Sequence, residues 1–527
     1  MGYSLNRSRA LFFALLSGAL LAGSFPKFGH PAVGWIALAP LLVAVYRRPI
    51  FEALGLGFVA GIVYFAATLY WITRVMVMYG DVPLVAALLI NAAFVAYLAL
   101  FVVTFSMVMA RLTMVNGPNA LLVAPLVWVA TELGRTYFLT GFPWVLLGYS
   151  QTTVLPIAQL ASVFGVFGLS ALVASVSAAL AFAAVTTGFG AGSAFPATGV
   201  RRGAFMPLLA TLALVALTAV WGGLRIRQGD LLTSGDPVRI GLLQGNVEEA
   251  ERWQKDTAAA VFRRYLDMSR QAVARGARFV IWPESATPYA FGDDIAATQT
   301  MQSLARTLRV PILIGTDQIV RGQETKYFNA AVLVRSDGSA GGVYRKMHLV
   351  PFGEYVPARH VFFFMSRIVQ AVSDFTAGTT ADVLPVDGHV TSTAICYEII
   401  YPNLVRQFTL AGSEILTTIT NDSWFGPTSA PYQHFAQASM RAIENGRILV
   451  RAANTGISGI VDPYGHVTAM TGLYEPAVVV GDARFLTGLT IYARTGDVFA
   501  YACTALTALL LIMTIRSGRI KTGVIKN

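Results

Sequence analysis

The sequence predicts an α-helical membrane bundle of about eight spans joined to an α/β domain. Three observations carry this expectation. The 527 residues are 55% hydrophobic and only 13% charged, against roughly 25% charged in an ordinary soluble domain, and mean hydropathy is +0.59. The long apolar runs are confined to residues 1–225 and 498–515. Between them, residues 226–490 have ordinary polarity with alternating strand-like and helix-like patches, and a block of that size buries a core of its own.

Set against the roughly 20 residues that a span needs, the apolar runs are 11–25, 32–46, 51–72, 83–109, 120–133, 155–185, 205–224 and 498–515. The first, second and fifth are short, so their borders extend into flanking residues. The run 155–185 is long enough to be tilted or broken. Residues 11–25 follow Arg7 and Arg9 but show no small-x-small cleavage site before Phe25 and Pro26, so they read as an uncleaved anchor rather than a signal peptide. Seven spans precede the polar block, which puts the block opposite the N-terminus. On the N-terminal side the loops carry Arg7, Arg9, Arg47, Arg48, Arg111, Arg201 and Arg202, and the tail adds Arg516, Arg519, Lys521 and Lys526. The other side carries only Lys27, Arg74 and Arg135 before the block. Positive charge marks the cytoplasmic face. Both termini are therefore expected in the cytoplasm, with residues 1–225 a seven-helix membrane domain, 226–490 an extracytoplasmic domain and 491–527 a last span with a cytoplasmic tail. Much of the net charge of +11 is this topology signal. No basic run interleaved with aromatics appears in the block, so no nucleic-acid partner is expected.

Within the block the elements follow in order. Residues 237–247 alternate as a strand and end in Gln-Gly-Asn. Residues 256–276 have helical spacing between an Asp and a Gly. Residues 279–282 are a buried strand stopped by Pro283. A helix over 300–310 and a strand over 311–318 come next. Residues 326–357 hold two strands about an Asp-Gly turn, then a loop rich in Pro and Gly. Strand, Cys396 and helix follow in 390–412, then a strand with a polar loop in 413–426, a helix in 432–446 and a strand pair in 447–467. Such alternation predicts helices layered on a mixed sheet.

Three reactive side chains each directly follow an apolar strand: Glu284 after "FVIWP", Lys346 after "GGVYR" and Cys396 after "STAI". Strand ends are where α/β folds gather ligands and catalytic groups. A carboxylate, an ammonium and a thiol make a complete nucleophilic set: base, oxyanion stabiliser and attacking group. Cys396 and Cys503, in the last apolar run, are the only cysteines, and their placement argues against a disulfide. Taken singly, Cys396 reads as buried apolar filler and Glu284 with Lys346 as a buried ion pair. Their common position after strands favours the catalytic reading. A Cys396–His348 pair is a second, less favoured arrangement.

The stretches "WPES", "YRKMHLVPFGEYVP" and "CYEIIYP" resemble the Glu–Lys–Cys motifs of the nitrilase superfamily. Together with about eight spans and the long "HLVPFGEYVP" loop, they resemble its membrane-integrated branch, the apolipoprotein N-acyltransferase family. That resemblance implies an αββα sandwich with Glu284 as general base, Lys346 at the oxyanion site and Cys396 as nucleophile. It implies supporting roles for Glu354, Tyr397, Glu398 and Trp424. It also implies a glycerophospholipid acyl donor, transfer of the sn-1 chain through a Cys396 thioester, and a diacylated apolipoprotein as acceptor, all in a bacterial inner membrane. From the residues alone, Glu354 reads either as a charge partner of Lys346 or as a plain surface carboxylate. The apolar patch at 361–365 reads either as core or as a lid dipping into the membrane.

Two other functions share some of these features. A membrane-tethered nitrilase-type amidase needs the same three residues, but a small soluble amide needs no such platform of spans. A transporter or scaffold with a degenerate domain predicts damaged motifs, and Glu52 and Glu132 are too few to form an ion path. No metal-ligand spacing, phosphate loop or dinucleotide fingerprint is present, so no metal and no cofactor is expected; a monomer is the expected state.

Overall fold

The computed structural model describes residues 5–188, 203–248, 255–356 and 375–523. The patch at 361–365 lies outside these residues. The chain divides into two compact units. One comprises Met1–Thr73, Leu84–Arg227 and Thr495–Asn527; the other comprises Arg74–Pro83 and Gln228–Arg494.

The first unit is helical. Among the described residues, five helical stretches are long and apolar enough to cross a membrane: Ile50–Leu69, Leu84–Thr140, Ala161–Thr187, Met206–Thr233 and Val498–Arg516. The expected count of eight is not reached on these criteria, for identifiable reasons. Run 11–25 falls on a helix of 16 residues, Arg7–Ala22. Run 32–46 is split into Pro31–Gly34 and Ala39–Val45. Runs 83–109 and 120–133 share one stretch that tightens into a 3₁₀ segment at Gly117–Val123. Run 155–185 is broken: Leu155–Ala158 forms its own turn, and Ala161–Thr187 kinks at Gly165, whose φ of 65° suits glycine. Inside this unit the buried Glu132 carboxylate accepts hydrogen bonds from Trp128 Nε1 (2.9 Å) and Leu147 N (2.7 Å). Buried Arg135 donates to the carbonyls of Phe142 and Trp144. Both charges are thus engaged locally.

The second unit holds two six-stranded sheets. The strands are β1 Asp236–Gln244, β2 Phe279–Ile281, β3 Ile312–Val320, β4 Lys326–Val334, β5 Ala340–Arg345, β6 Leu384–Val386, β7 His389–Ile395, β8 Ile415–Thr420, β9 Leu449–Ala453, β10 Gly459–Val461, β11 Val467–Met470 and β12 Ala477–Phe485. Their orders are β12-β1-β2-β3-β4-β5 and β11-β10-β9-β8-β7-β6. In each sheet three central strands run parallel, β1-β2-β3 and β7-β8-β9, and antiparallel strands flank them. The sheets face each other, β1 against β9 and β4 against β7. Helices Lys255–Ala274 and Ile295–Leu308 cover the first sheet, and Pro402–Leu410 and Ala430–Asn445 the second. This is an αββα sandwich.

Local chemistry explains the boundaries. β2, β7, β8 and β9 are apolar or Thr-rich and buried along most of their length, as parallel strands covered on both faces must be. The Asp294 side chain caps its helix by accepting from Ala297 N at 2.9 Å. The turn between β4 and β5 uses Gly338 at φ 84°, as the Asp-Gly pair suggested.

Candidate active site

Glu284, Lys346 and Cys396 each emerge at a strand end of this second unit. Glu284 follows β2 by three residues. Gly315 on neighbouring β3 makes this possible: a Cβ there would lie 2.1 Å from the Pro283 carbonyl, so only glycine lets the Pro283–Glu284 backbone pass so close. Lys346 directly follows β5 and its N–H donates to the Asn329 carbonyl (2.9 Å). Cys396 directly follows β7, with a left-handed backbone at φ 52°. A non-glycine residue held there costs roughly 1–3 kcal/mol.

The charged groups meet through Asn329 in the middle of β4. Its Nδ2 donates to Glu284 Oε1 (2.7 Å) and to Glu354 Oε1 (2.9 Å). Lys346 Nζ sits 2.9 Å from Glu354 Oε1 and 3.6 Å from Glu284 Oε1. The second oxygen of Glu284 accepts from Asn421 N at 2.8 Å, and that of Glu354 from Val350 N at 2.7 Å. All three ionisable side chains are buried. Burial by itself would depress the Lys346 ammonium, but the Glu354 carboxylate, then Glu284, then the Cys396 thiol more than offset this and push it up. Lys346 is therefore a fixed positive charge. Burial pushes the Cys396 thiol up, the Glu284 charge adds to this, and Lys346 opposes it. The thiol is thus protonated at rest, and a base has work to do. Of the two sequence readings of Glu354, the charge partner of Lys346 is the one this geometry has, and its side chain is buried.

Glu398 ties the lysine loop to the cysteine turn. Its Oε1 accepts from Tyr344 Oη (2.7 Å), Met347 N (2.7 Å) and His348 N (3.1 Å), and its Oε2 from Ile395 N (2.8 Å). Tyr397 is half-buried, its ring 5.3 Å from Tyr401 and 5.8 Å from His348. The His348 ring lies tilted against Tyr401, centroids 4.0 Å apart. Burial, then the Lys346 charge, lower its pKa to about 4, so it is neutral near pH 7. Trp424 meets the Tyr79 ring at 4.7 Å, and the Tyr79 hydroxyl donates to the Ser423 carbonyl at 2.7 Å. Residues 74–83 lie in sequence among the spans, yet belong to this unit; sequence reading did not anticipate that.

Two further groups were missed. Asn329 lies inside a strand whose pattern reads only as core. His434 lies in the helix Ala430–Asn445, and its Nε2 is 3.2 Å from the Cys396 carbonyl. The nearest sequence signal was the polar loop that ends the strand in 413–426. Both cysteines are free, and among the described residues no His, Cys, Asp or Glu cluster could hold a metal.

Residues 239–485 match the carbon-nitrogen hydrolase family, and residues 17–179 match the apolipoprotein N-acyltransferase N-terminal domain. Across almost its whole length the chain is 38% identical to an apolipoprotein N-acyltransferase of Geobacter metallireducens, over 96% of each chain. The chain belongs to the apolipoprotein N-acyltransferase family. Further members it resembles are those of Methylococcus capsulatus, 34% identical over 93% of each chain, and Shewanella oneidensis, 30% identical over 92% of each. Because both units are matched, the family assignment covers the helical part as well as the αββα sandwich. An apolipoprotein N-acyltransferase is an acyltransferase integrated in a membrane, and the expected αββα sandwich beside apolar helices is the fold found.

Proposed function

We propose that the protein moves an acyl chain, the sn-1 chain, from a glycerophospholipid to the α-amino group of the N-terminal diacylglyceryl-cysteine of a lipoprotein, by way of a Cys396 thioester. The observation that carries this reading is the buried Glu284–Lys346–Glu354 cluster, in which the Glu284 and Lys346 charges act on the Cys396 thiol. Glu284 takes the thiol proton as sulfur attacks the ester carbonyl. The oxyanion forms against the Lys346 ammonium, whose charge Glu354 holds in place. Collapse expels the lysophospholipid alkoxide, which takes the proton back from Glu284. The lipoprotein amine then attacks the thioester, Glu284 accepts its proton, and the thiol is restored. Glu398 holds the turn before the nucleophile through Ile395 N, and Tyr397 and Trp424 are assigned supporting roles.

The orientation proposed is that of the charge pattern: residues 226–490 outside the cytoplasm, both termini inside, in the inner membrane of a bacterium. Eight spans are proposed, the three shorter helical runs crossing with help from flanking residues; the domain boundaries follow those runs, and the protein works as a monomer without a cofactor. The same chemistry would serve an amidase, but the relatedness of both units to apolipoprotein N-acyltransferases favours transfer. The test is mass analysis of a diacylated lipopeptide incubated with protein and phosphatidylethanolamine. A gain of one acyl group is expected with the wild type and none with Cys396→Ala; an unmodified lipopeptide beside released fatty acid would overturn the reading.

A further inference from the structure

Behind the nucleophile lies a fully buried polar chain that the reaction above does not use. Arg451, in the middle of β9, reaches Asp422 Oδ2 with Nη2 at 2.8 Å and His434 Nδ1 with the same nitrogen at 3.0 Å. Asp422 Oδ1 lies 3.1 Å from His434 Nδ1 and accepts from Thr420 Oγ1 at 2.9 Å. His434 Nε2 faces the Cys396 carbonyl at 3.2 Å. Arg451, Asp422 and His434 are all essentially inaccessible to solvent, and Gly456 leaves room for the carboxylate, since a Cβ there would lie 2.2 Å from Asp422 Oδ2. Burying such groups is unfavourable unless they are well paired; Arg451 also donates through Nε to the Ile457 carbonyl at 3.2 Å, and the chain from Arg451 through His434 ends at the Cys396 carbonyl.

That carbonyl belongs to the residue with the left-handed backbone. A peptide unit is planar, so fixing the Cys396 carbonyl fixes the Cys396–Tyr397 plane and, with it, the direction in which the thiol leaves the turn. An L-residue at φ 52° relaxes toward extended backbone unless its neighbours hold it. The carbonyl is an acceptor, so Nε2 carries the imidazole proton; Nδ1 then accepts from Arg451, which Asp422 Oδ2 holds in place, and makes no hydrogen bond to Asp422 itself. Burial, then the Arg451 charge, lower the affinity of His434 for a second proton.

We infer that His434, oriented by Arg451, which Asp422 holds, is a positioning residue that holds the backbone of Cys396 in its attacking conformation through a hydrogen bond to the Cys396 carbonyl. It touches neither acyl donor nor acceptor. The inference rests on the reading of Cys396 as nucleophile.

The test measures acylation of Cys396 by phosphatidylethanolamine, from intact mass, in full-length protein. His434→Phe removes the donor and should lower the maximal loading rate by roughly tenfold or more, since small misplacements cost up to ~10²-fold. KM for the phospholipid should change by less than about threefold, because binding is not what is lost. His434→Gln places an amide N–H near the position of Nε2 and should recover most of the rate; His434→Asn places it near Nδ1 and should not. Wild-type loading in His434→Phe would overturn the inference, as would equal rates for the Gln and Asn variants. The Gln–Asn comparison also decides the matter if the Phe variant does not fold. Cys396→Ala is run in parallel. Acyl transfer surviving in that variant would remove the nucleophile reading itself, whereas an inert Cys396→Ala beside a fully active His434→Phe would remove only the role of His434.

Discussion

At the scale of single residues, Glu284 and Lys346 act on the Cys396 thiol in opposite senses. Burial and the Glu284 charge push the thiol up while Lys346 pulls it down. Glu284→Gln should therefore separate reactivity from catalysis. With the carboxylate charge gone and Lys346 retained, the thiol titrates at lower pH, and iodoacetamide, which reacts with the thiolate, should alkylate Cys396 faster at a given pH. Acyl loading from phospholipid should still fail, because no base takes the proton. Peptide mapping of alkylated protein reads the first outcome; slower alkylation in the variant would show that Glu284 does not hold the thiol up. Lys346→Ala should reduce loading by ~10²–10³, the usual cost of one oxyanion donor. Cys503→Ala should leave loading unchanged. His348 supplies a pH dependence of stability. Its pKa is lowered from 6.5 to about 4 in the folded protein, so the unfolded chain binds more protons between those values. Its contribution is present above pH 6.5 and is lost as pH falls towards 4. Denaturation midpoints followed across that window should fall on acidification, and by less in His348→Gln.

At the scale of elements, the site is assembled by strand ends and by the one or two glycines that let them approach. Gly315→Val should drive the Pro283 carbonyl away from β3, because even a Cβ would meet it at 2.1 Å. Loading should then fall steeply, with Glu284 displaced and Cys396 still reactive to iodoacetamide; unchanged loading would mean that the close approach of β2 and β3 does not position the base. Glu398→Gln replaces an acceptor of three backbone N–H groups with an amide that presents donors, at roughly 1–3 kcal/mol for a buried donor left unpaired. The melting temperature and the loading rate should drop together. These elements also show what sequence could reveal. Glu284, Lys346 and Cys396 were legible because each follows an apolar strand, a local pattern. The strand order within each sheet was not legible, because pairings such as β1 with β12 join residues far apart in the chain. Asn329 was hidden for the same reason: its position inside β4 gains meaning only once Glu284 and Glu354 arrive from other elements. His434 likewise reads as one polar residue on a helix until Cys396 is set beside it. That residues 74–83 belong with the sandwich was hidden because they form a short loop between two predicted spans, far from the block in sequence.

At the scale of the whole molecule, one chain joins apolar helices to a sandwich that matches the carbon-nitrogen hydrolase family. The proposed orientation is tested by reporters: one fused after Asn527 should report cytoplasm and one inserted near Asp230 the opposite side. Finding both on one side would contradict the crossing of the membrane by the last span, 498–515. The fate of the thioester is what separates transfer from hydrolysis, since the same three residues form it in either case. A transferase must keep water from its acyl-enzyme until the amine arrives. The most direct measurement is therefore the intact mass of the protein with phosphatidylethanolamine, first without and then with a diacylated lipopeptide. The account predicts that one hydroxylamine-labile acyl chain accumulates on Cys396 in the absence of acceptor and is discharged to the lipopeptide α-amine when it is added. Steady release of free fatty acid at the same rate with or without acceptor, and no acyl chain on Cys396, would contradict it.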